Sequence, residues 1–351
     1  MSVEQLKTIE VAGTPKEIGF AIGKADADSI RQQLLTLTEF SALEQYWQGS
    51  SYLWRLDAAA RSVFPEYVLE LEGMALGAQV AYESLFLWNC RGDLPLNEGE
   101  NPESVEHAPE GCTTLLLPAV DGRSAVIAHN EDGPPELNGH CYWLTVRQDN
   151  GTNYSTFHYP GMLPGHTFSV NSRGLVQTIN NIRVSDLKTG IPRHFICRAI
   201  LDSKTLDEAL EFLQRQDRAS GFHHSLGHSS GNELLSVEAP ASGCAVKKIK
   251  SAATHANHLL NEVFCGLSQT VTESSAFRQN MSEKLISESV STDPKSILFH
   301  QPSQGLSIFR RPNDGGDDYA FTLATGTFCI SASGVKWQIH LDKNEIPALS
   351  N

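Results

Sequence analysis

A Gly–Cys bond stands at the junction of two differently composed parts of the chain. Gly111–Cys112–Thr113–Thr114 closes a polar segment and opens an apolar one. If the chain were cut before Cys112, the thiol would lie beside its own α-amine, whose ordinary pKa of about 7.7–8.0 suits a general base near neutral pH. This arrangement predicts Cys112 as a nucleophile. The alternative is a small, buried core thiol, as many cysteines are.

The same thiol could make the cut itself. Attack of the Cys112 sulfur on the carbonyl carbon of Gly111 gives an N→S acyl shift, and hydrolysis of the resulting thioester separates the two pieces. Glycine suits the position before the bond because it tolerates a strained backbone. Residues 92–111 are acidic and rich in Pro, Gly and Asn, which predicts a mobile surface linker. We interpret its end as a processed propeptide end that masks Cys112 until cleavage.

Strands must position this cysteine. The stretch "CTTLLLPAVDGRSAVIAHNED" predicts a β-hairpin with Asp121–Gly122 at its turn. Further strands are predicted in "NYSTFHYPG", "HTFSVNSRGLVQTINNI", "NELLSVEAPASGCAVKKIK" and "AFTLATGTFCISASGVKWQIHLD".

Helices precede and interrupt these strands. The pattern is helical from about residue 24 to 90, after a short strand and a helix start. At that start Thr14 can cap, Pro15 fits the first helical position and Glu17 completes a capping box. Residues 191–216 predict two helices, the second capped near Ser203 or Thr205, and another helix is predicted near 273–290. This segregated order favours a layered α+β architecture with largely antiparallel sheets.

Histidines cluster in two places. "GFHHSLGHSSG" predicts a Gly/Ser-rich loop, solvated or lining a pocket, that carries His223, His224 and His228. His255 and His258 in "HANH" lack the i, i+4 spacing and the glutamate of a zinc helix, which favours packing roles. We predict no metal site and no cofactor, and keep a histidine-loop metal-binding protein as an alternative of another class.

Composition excludes several other classes. The formal charge of −14 over 351 residues argues against a nucleic-acid partner. No apolar run approaches the ~20 residues of a membrane span, and the N-terminus does not resemble a signal peptide. Seven scattered cysteines without a CxxC pattern indicate reduced thiols and predict a cytoplasmic location.

Several segments together resemble a known family. They are "GTPKEIGFAIG", "LEGMALGAQVAYESLFLWNCRGDL", "GCTT", "HNEDG", "SVNSRGLVQTINN", "SVE", "THANHL" and "FRRP". In this order they are similar to the penicillin acyltransferase-like family (acyl-CoA:6-aminopenicillanic acid acyltransferase) of self-cleaving N-terminal-nucleophile hydrolases. Residues 159–201 most resemble the β-alanyl-amine hydrolases of that family, which split N-β-alanyl-dopamine and β-alanyl-histamine (carcinine).

The resemblance implies a fold and a processing event. The fold is an αββα sandwich, in which two antiparallel sheets lie between helical layers and the nucleophile heads a central strand. Cleavage between Gly111 and Cys112 would divide one folded unit into a helical fragment, 1–111, and a catalytic fragment, 112–351. Because the fragments share one core, we expect them to stay associated as a heterodimer; assembly into a higher oligomer is left open.

The resemblance also assigns roles to residues. Asp132 matches an aspartate near the nucleophile's amine, and Asn257 matches an asparagine whose amide donates to the tetrahedral oxyanion. Arg310 matches an active-site arginine, although Arg311 replaces the histidine that usually follows it.

Other residues near these matches are assigned from the pattern alone. Asn130 is interpreted as structural, and Glu131 is not fixed by the motif and could face solvent. Tyr159 and His166 in "HYPGMLPGH" are candidates for a substrate pocket.

The leading interpretation is therefore an enzyme acting on linear amides. Its substrate would be a small N-acyl amide, first of all a β-alanyl conjugate of a biogenic amine, attacked through a thioester acyl-enzyme. The alternative within the same chemistry is an acyl-CoA-dependent N-acyltransferase, in which an amine replaces water.

Overall fold

The fold was analysed in a computed structural model. It describes the following residues: 5–95, 111–120, 122–231, 233–288, 293–311 and 320–351. Most of the predicted linker, residues 96–110, and Asp121 of the predicted turn lie outside the described residues.

Except for the short last one, the helices occupy the predicted regions. They are α1 (Pro15–Gln32), α2 (Thr38–Trp47), α3 (Ser51–Val63), α4 (Pro65–Ala78), α5 (Tyr82–Asn89), α6 (Arg193–Asp202), α7 (Leu206–Leu213), α8 (Glu273–Glu288) and α9 (Lys295–Leu298). The capping box at Thr14 is confirmed, because its side chain and that of Glu17 bond reciprocally to the backbone. Thr205 rather than Ser203 caps α7, accepting a hydrogen bond from the Glu208 N–H at 3.1 Å.

Strands make up the rest of the ordered core. They are β1 (Thr8–Gly13), β2 (Gly111–Leu117), β3 (Ala125–Gly133), β4 (Tyr142–Gln148), β5 (Tyr154–His158), β6 (Phe168–Asn171), β7 (Leu175–Asn181), β8 (Phe222–His228), β9 (Leu234–Glu238), β10 (Ala245–Lys248), β11 (Ala253–His255), β12 (Phe321–Ser331), β13 (Gly334–His340) and β14 (Leu349–Ser350).

Two sheets are stacked face to face. An eight-stranded sheet has the order β1-β4-β5-β6-β7-β8-β9-β10, and a six-stranded sheet has the order β11-β2-β3-β12-β13-β14. Neighbouring strands are antiparallel except β1 and β4, which run parallel. Helices α1, α6 and α7 contact the eight-stranded sheet, and α8 and α9 contact the six-stranded one. The predicted α+β sandwich is confirmed.

Close helix packing anchors the first layer. A Cβ on Gly19 would lie 1.8 Å from the carbonyl oxygen of Glu70, and one on Gly23 would lie 1.9 Å from that of Met74. Only glycine permits α1 and α4 to approach this closely. Of the helices in the described ranges, none combines the length and apolar character that a membrane crossing requires.

One prediction about the fold is wrong. The histidine-rich stretch is not a loop, because Phe222–His228 forms β8, buried along its whole length between β7 and β9. His223 stacks on His255 with ring centroids 3.5 Å apart, and its ring nitrogens face Asn180 Oδ1 and Ser236 Oγ. Strand pairing on both sides satisfies the backbone of β8, and these two partners satisfy the His223 ring.

Candidate active site

The hairpin of β2 and β3 presents two different faces. Cys112 pairs with Glu131 and Thr114 with His129, whereas Gly111 pairs with Asp132. Because side chains alternate along a strand, Cys112, Thr114, His129 and Glu131 share one face. Thr114 Oγ1 meets Thr178 Oγ1 of β7 at 3.4 Å, so this face points between the two sheets. We call these four residues the thiol face.

The opposite face of the hairpin points to α8 and α9. Thr113 Oγ1 accepts a hydrogen bond from Arg278 of α8 at 3.1 Å. Asn130 donates to the backbone carbonyls of Leu298 and Ile308, at 2.8 and 3.2 Å, which agrees with its predicted structural role. Gly111 and Asp132 belong to this helix face of the hairpin.

Cys112 is buried, and its thiol lies beside a carboxylate. It is 5 % exposed, and Sγ lies 3.6 Å from Oε2 of Glu131. Burial, and then the negative charges of Glu131 and Asp132, raise the pKa of the Cys112 thiol well above its ordinary value. In the intact chain Cys112 therefore carries a protonated thiol that is closed off from solvent.

Asn257 lies two residues after the end of β11 and contacts the backbone of Cys112. Its Oδ1 accepts hydrogen bonds from the Cys112 N–H at 2.9 Å and from Arg278 Nη2 at 2.7 Å. Its Nδ2 donates to the carbonyl of Asn181 at 3.0 Å. An amide nitrogen carries two hydrogens, so the second N–H is left for another acceptor.

Asp132 is fully buried beside two arginines. Its Oδ1 accepts a hydrogen bond from Thr322 Oγ1 at 2.7 Å, and its Oδ2 lies 3.9 Å from Arg310 Nη1. Burial raises the pKa of Asp132 to about 6, while Arg310, Arg278 and the Thr322 hydroxyl act to lower it. The carboxylate thus lies on the helix face, across the strand from the Cys112 thiol.

Gly111 lies between cationic groups. A Cβ at this position would be 3.0 Å from Arg278 Nη2, 3.1 Å from Arg310 Nη1 and 3.3 Å from Asn257 Oδ1. Gly111 is an extended residue of β2 and does not have a positive φ. The intact chain therefore shows no strain at Gly111, and the strain expected during the attack stays a prediction; what the structure shows is that a Cβ here would crowd the two arginines.

Glu131 was left open by the sequence, and the structure buries it. Its Oε1 accepts a hydrogen bond from Tyr159 OH at 2.7 Å, and its Oε2 lies 3.0 Å from His129 Nε2. Burial lowers the pKa of His129 to about 3, which keeps the ring neutral. The expectation that Glu131 could face solvent is wrong, because the hairpin register turns its side chain between the sheets.

The predicted pocket residues fall in two groups. Tyr159 contacts Glu131 directly, and His166 packs edge-on against the Tyr159 ring with centroids 4.8 Å apart. Arg310 lies on the helix face near Asp132. The Arg311 guanidinium instead donates to the backbone carbonyls of Arg310, Thr322 and Leu341 and stacks on aromatic rings.

Sequence reasoning missed Arg278 and His129. Arg278 donates to the carbonyl of Cys112 and to Asn257 Oδ1, so one guanidinium connects β2 with the segment that follows β11. No sequence motif marks Arg278 in α8. The places of His129 and Glu131, by contrast, follow from the strand pairing of the hairpin. In the described part of the chain, one cluster has the chemistry of a metal site: Cys112, His129 and Glu131, whose ligand atoms lie within 4.8 Å of one another.

Comparison with known proteins assigns a family. The sequence profile of the family described as acyl-coenzyme A:6-aminopenicillanic acid acyl-transferase matches residues 120–345, which include Asp132, Asn257 and Arg310 and begin after Cys112. The chain is 33 % identical over 217 residues to the beta-alanyl-dopamine/carcinine hydrolase of Drosophila melanogaster, across 58 % of this chain and 55 % of that protein.

A second relative is fungal. The acyl-coenzyme A:6-aminopenicillanic-acid-acyltransferase 40 kDa form of Emericella nidulans is 25 % identical over 256 residues, across 71 % of this chain and 68 % of that protein. The chain thus matches little more than half the length of the first relative and about two thirds of the second. The profile match covers most of the chain. The chain therefore belongs to the acyl-coenzyme A:6-aminopenicillanic acid acyltransferase family.

Proposed function

We propose that the chain cleaves its own Gly111–Cys112 bond and then acts as an N-terminal-cysteine amidohydrolase. The observation that carries this proposal is the setting of Cys112: its backbone nitrogen donates to the buried Asn257 Oδ1 at 2.9 Å, at the start of an interior strand. A carboxamide oxygen there can accept from the peptide N–H before cleavage and from an amine after it.

Self-cleavage would proceed through a thioester. Sγ of Cys112 bonds to the carbonyl carbon of Gly111, the bond from that carbon to the Cys112 nitrogen breaks, and the thiol proton ends on the freed nitrogen. Water then hydrolyses the thioester, which leaves a carboxylate on Gly111 and restores the thiol. Arg278 and Arg310 flank Gly111 and would stabilise both the oxyanion and the new carboxylate.

The mature reaction reuses the same atoms. The freed α-amine takes the proton of the Cys112 thiol, the sulfur bonds to the amide carbonyl carbon of the substrate, and the amine returns the proton to the leaving nitrogen. Water then releases the acid. The second N–H of Asn257 Nδ2 would donate to the oxyanion, and Asp132 would hold the ammonium form of the α-amine electrostatically from across the strand.

The names of the relatives support a substrate class. A relative named beta-alanyl-dopamine/carcinine hydrolase supports β-alanyl conjugates of biogenic amines as the first substrates to test. A relative named as an acyl-coenzyme A acyltransferase supports the second candidate, transfer of an acyl group to an amine. The histidine-loop metal protein is dropped, because the stretch that suggested it is the buried strand β8.

The two products of cleavage would remain one folded unit. Leu71 of α4 and Phe86 of α5 belong to the same buried core as Leu144 of β4 and Phe195 of α6. Separation would expose this apolar surface, so we propose a stable heterodimer of residues 1–111 and 112–351. All seven cysteines are free thiols, which fits the proposed location in the reducing cytoplasm.

Denaturing electrophoresis and intact mass test the cleavage. Purified wild-type protein should give pieces of 111 and 240 residues, and Cys112→Ala should remain a single chain of 351 residues. Cys265→Ala, which changes an exposed cysteine, is the matched control and should be cut like the wild type. An active wild-type protein that consists of one unbroken chain would contradict the proposal.

A substrate screen tests the activity. Cleaved protein should release amine from β-alanyl-histamine and from N-β-alanyl-dopamine without added cofactor. Amide formation from an acyl-coenzyme A and an amine, without hydrolysis of either conjugate, would instead support the acyltransferase.

A further inference from the structure

A carboxylate from the eight-stranded sheet holds the segment that carries Asn257. Glu238 is the last residue of β9 and ends "SVE", one of the segments that resemble the family. Its Oε1 accepts hydrogen bonds from His255 Nε2 at 2.9 Å and from the Leu260 N–H at 2.6 Å, and its Oε2 accepts one from the Asn261 N–H at 3.0 Å. One buried side chain therefore joins the residues on both sides of Asn257.

The partners of Glu238 suit an ionised carboxylate. Burial acts to raise the pKa of Glu238, but hydrogen bonds from His255, Leu260 and Asn261 bring it below its ordinary value. A carboxylate has only acceptor oxygens, so all three of these groups can donate to it. A glutamine would instead turn an NH₂ group towards one of the donors. The position therefore favours an ionised glutamate over its neutral analogue.

Helix α8 contacts the same segment. Ser275 Oγ accepts a hydrogen bond from the Asn257 N–H at 3.0 Å. Gln279, four residues further and so on the same helix face, accepts one from the Ala256 N–H at 2.8 Å. The backbone around Asn257 is thus held by groups from two separate elements, β9 and α8.

We propose that Glu238, together with Ser275, is a positioning residue that holds the Asn257 amide in place for the oxyanion. This inference rests on the proposed amidohydrolase function, in which the second N–H of Asn257 Nδ2 donates to the oxyanion. A misplacement of about 1 Å can cost about 10²-fold in rate even when the substituted residue is far from the chemistry. A looser segment would therefore lower kcat, because the donor would meet the developing charge less well.

The test compares the same substitution at two glutamates. In cleaved protein, Glu238→Gln should lower kcat for β-alanyl-histamine by about 10- to 100-fold with little change in KM, as for an interaction that matters in the transition state. Glu233→Gln is the matched control, because it changes an exposed glutamate just before β9 that pairs with Lys248 at the surface. A wild-type kcat in Glu238→Gln would overturn the inference.

A double variant determines whether Glu238 acts through Asn257. In the Asn257→Asp background the Nδ2 donor is already lost, so adding Glu238→Gln should lower kcat by no more than about twofold. A further drop as large as the one in the wild-type background would mean that Glu238 supports the reaction in another way. That result would contradict the positioning role.

Hydrogen exchange in the uncut Cys112→Ala chain tests the same role without activity. The N–H of residue 112 donates to Asn257 Oδ1 and so reports whether Asn257 keeps its place. Adding Glu238→Gln should make it exchange at least about tenfold faster, because a hydrogen bond to a charged group is lost from the segment. Glu233→Gln should leave the exchange rate unchanged.

Failure of the proposed function can be told apart from failure of this inference. If wild-type protein hydrolyses no amide, the proposed function fails, and the exchange rate at residue 112 still decides whether Glu238 positions Asn257. Equal exchange rates with and without Glu238→Gln contradict that role. If Glu238→Gln does not fold, Ser275→Ala, which removes the acceptor of the Asn257 N–H, replaces it in both measurements with the same expected direction.

Discussion

The side-chain oxygen of Asn257, not its nitrogen, faces the backbone nitrogen of Cys112, at 2.9 Å. A donor to the oxyanion was expected here, and the structure adds an acceptor role beside it. Arg278 bonds to the same oxygen, so the residue is held by two partners on that side. The two roles can be separated, because they use different atoms of one side chain.

Substitutions of Asn257 should separate these roles. Asn257→Asp keeps an oxygen for the Cys112 nitrogen and for Arg278 but loses the Nδ2 donor. We expect the chain still to be cut, with amide hydrolysis about 10²–10³-fold slower, as for a lost oxyanion donor. Asn257→Leu removes both atoms and should abolish cleavage on denaturing electrophoresis. Hydrolysis by Asn257→Asp at the wild-type rate would exclude the oxyanion role.

Gly111 should be sensitive to a single added methyl group. In Gly111→Ala the new Cβ would lie 3.0–3.1 Å from the Arg278 and Arg310 guanidinium nitrogens, which must shift to admit it. We expect self-cleavage to slow by at least tenfold, measured as the rate at which the 351-residue chain disappears. Gly266→Ala meets no atom within 4 Å and serves as the control. Equal cleavage rates for both variants would show that crowding at Gly111 does not matter.

The two adjacent arginines should differ in function. Arg310→Met removes the cation 3.9 Å from Asp132 Oδ2, which raises the pKa of that carboxyl above its value of about 6 and should abolish cleavage. It should also lower the free energy of unfolding by about 3 kcal/mol, as for loss of one partner of a buried pair. Arg311→Met loses hydrogen bonds to backbone carbonyls but leaves the Arg310 guanidinium beside Asp132, so it should remain competent for cleavage.

Combining Arg310→Met with Asp132→Asn tests whether the two residues are coupled. The double variant should lose less free energy of unfolding than the two single variants lose together, because the asparagine leaves no buried charge. Chemical denaturation in the Cys112→Ala background measures all of these variants as one uncleaved chain. Strictly additive effects would contradict the coupling.

Acid should destabilise the protein through its buried neutral histidines. Burial lowers the pKa of His129 and His224 to about 3, against 6.5 for an ordinary histidine. Between these values the unfolded chain binds more protons than the native one, so the free energy of unfolding falls as the pH drops below about 6.5. Asp93 and Asp132, with pKa values raised to about 6, act in the opposite sense between about pH 4 and 6.

Because buried histidines outnumber these two carboxyls in the described residues, the net effect should be loss of stability in acid. Denaturant unfolding of Cys112→Ala from pH 7 to pH 5 measures it. The slope of the free energy of unfolding against pH reports how many protons are taken up on unfolding. Near pH 5, His224→Asn should reduce this number by up to one, and an unchanged slope would argue against a neutral His224.

The sequence was informative wherever local rules apply. Capping at Thr14 and the run of helices to residue 89 were predicted from spacing and side-chain chemistry. Even the pairing of Cys112 with Glu131 was implicit, because Cys112 lies nine residues before Asp121 and Glu131 lies nine residues after Gly122. A two-residue turn therefore places them opposite each other, and strand alternation turns both side chains to one face.

The sequence alone determined which residues neighbour Cys112 along the chain, and its motifs suggested the family. The tertiary structure decided which groups meet it from afar. Arg278 reaches Cys112 across 166 residues, and Phe222–His228 is a buried strand because β7 and β9 enclose it. Such contacts depend on how separate elements pack, and neither the spacing of residues nor their local propensities encodes that packing.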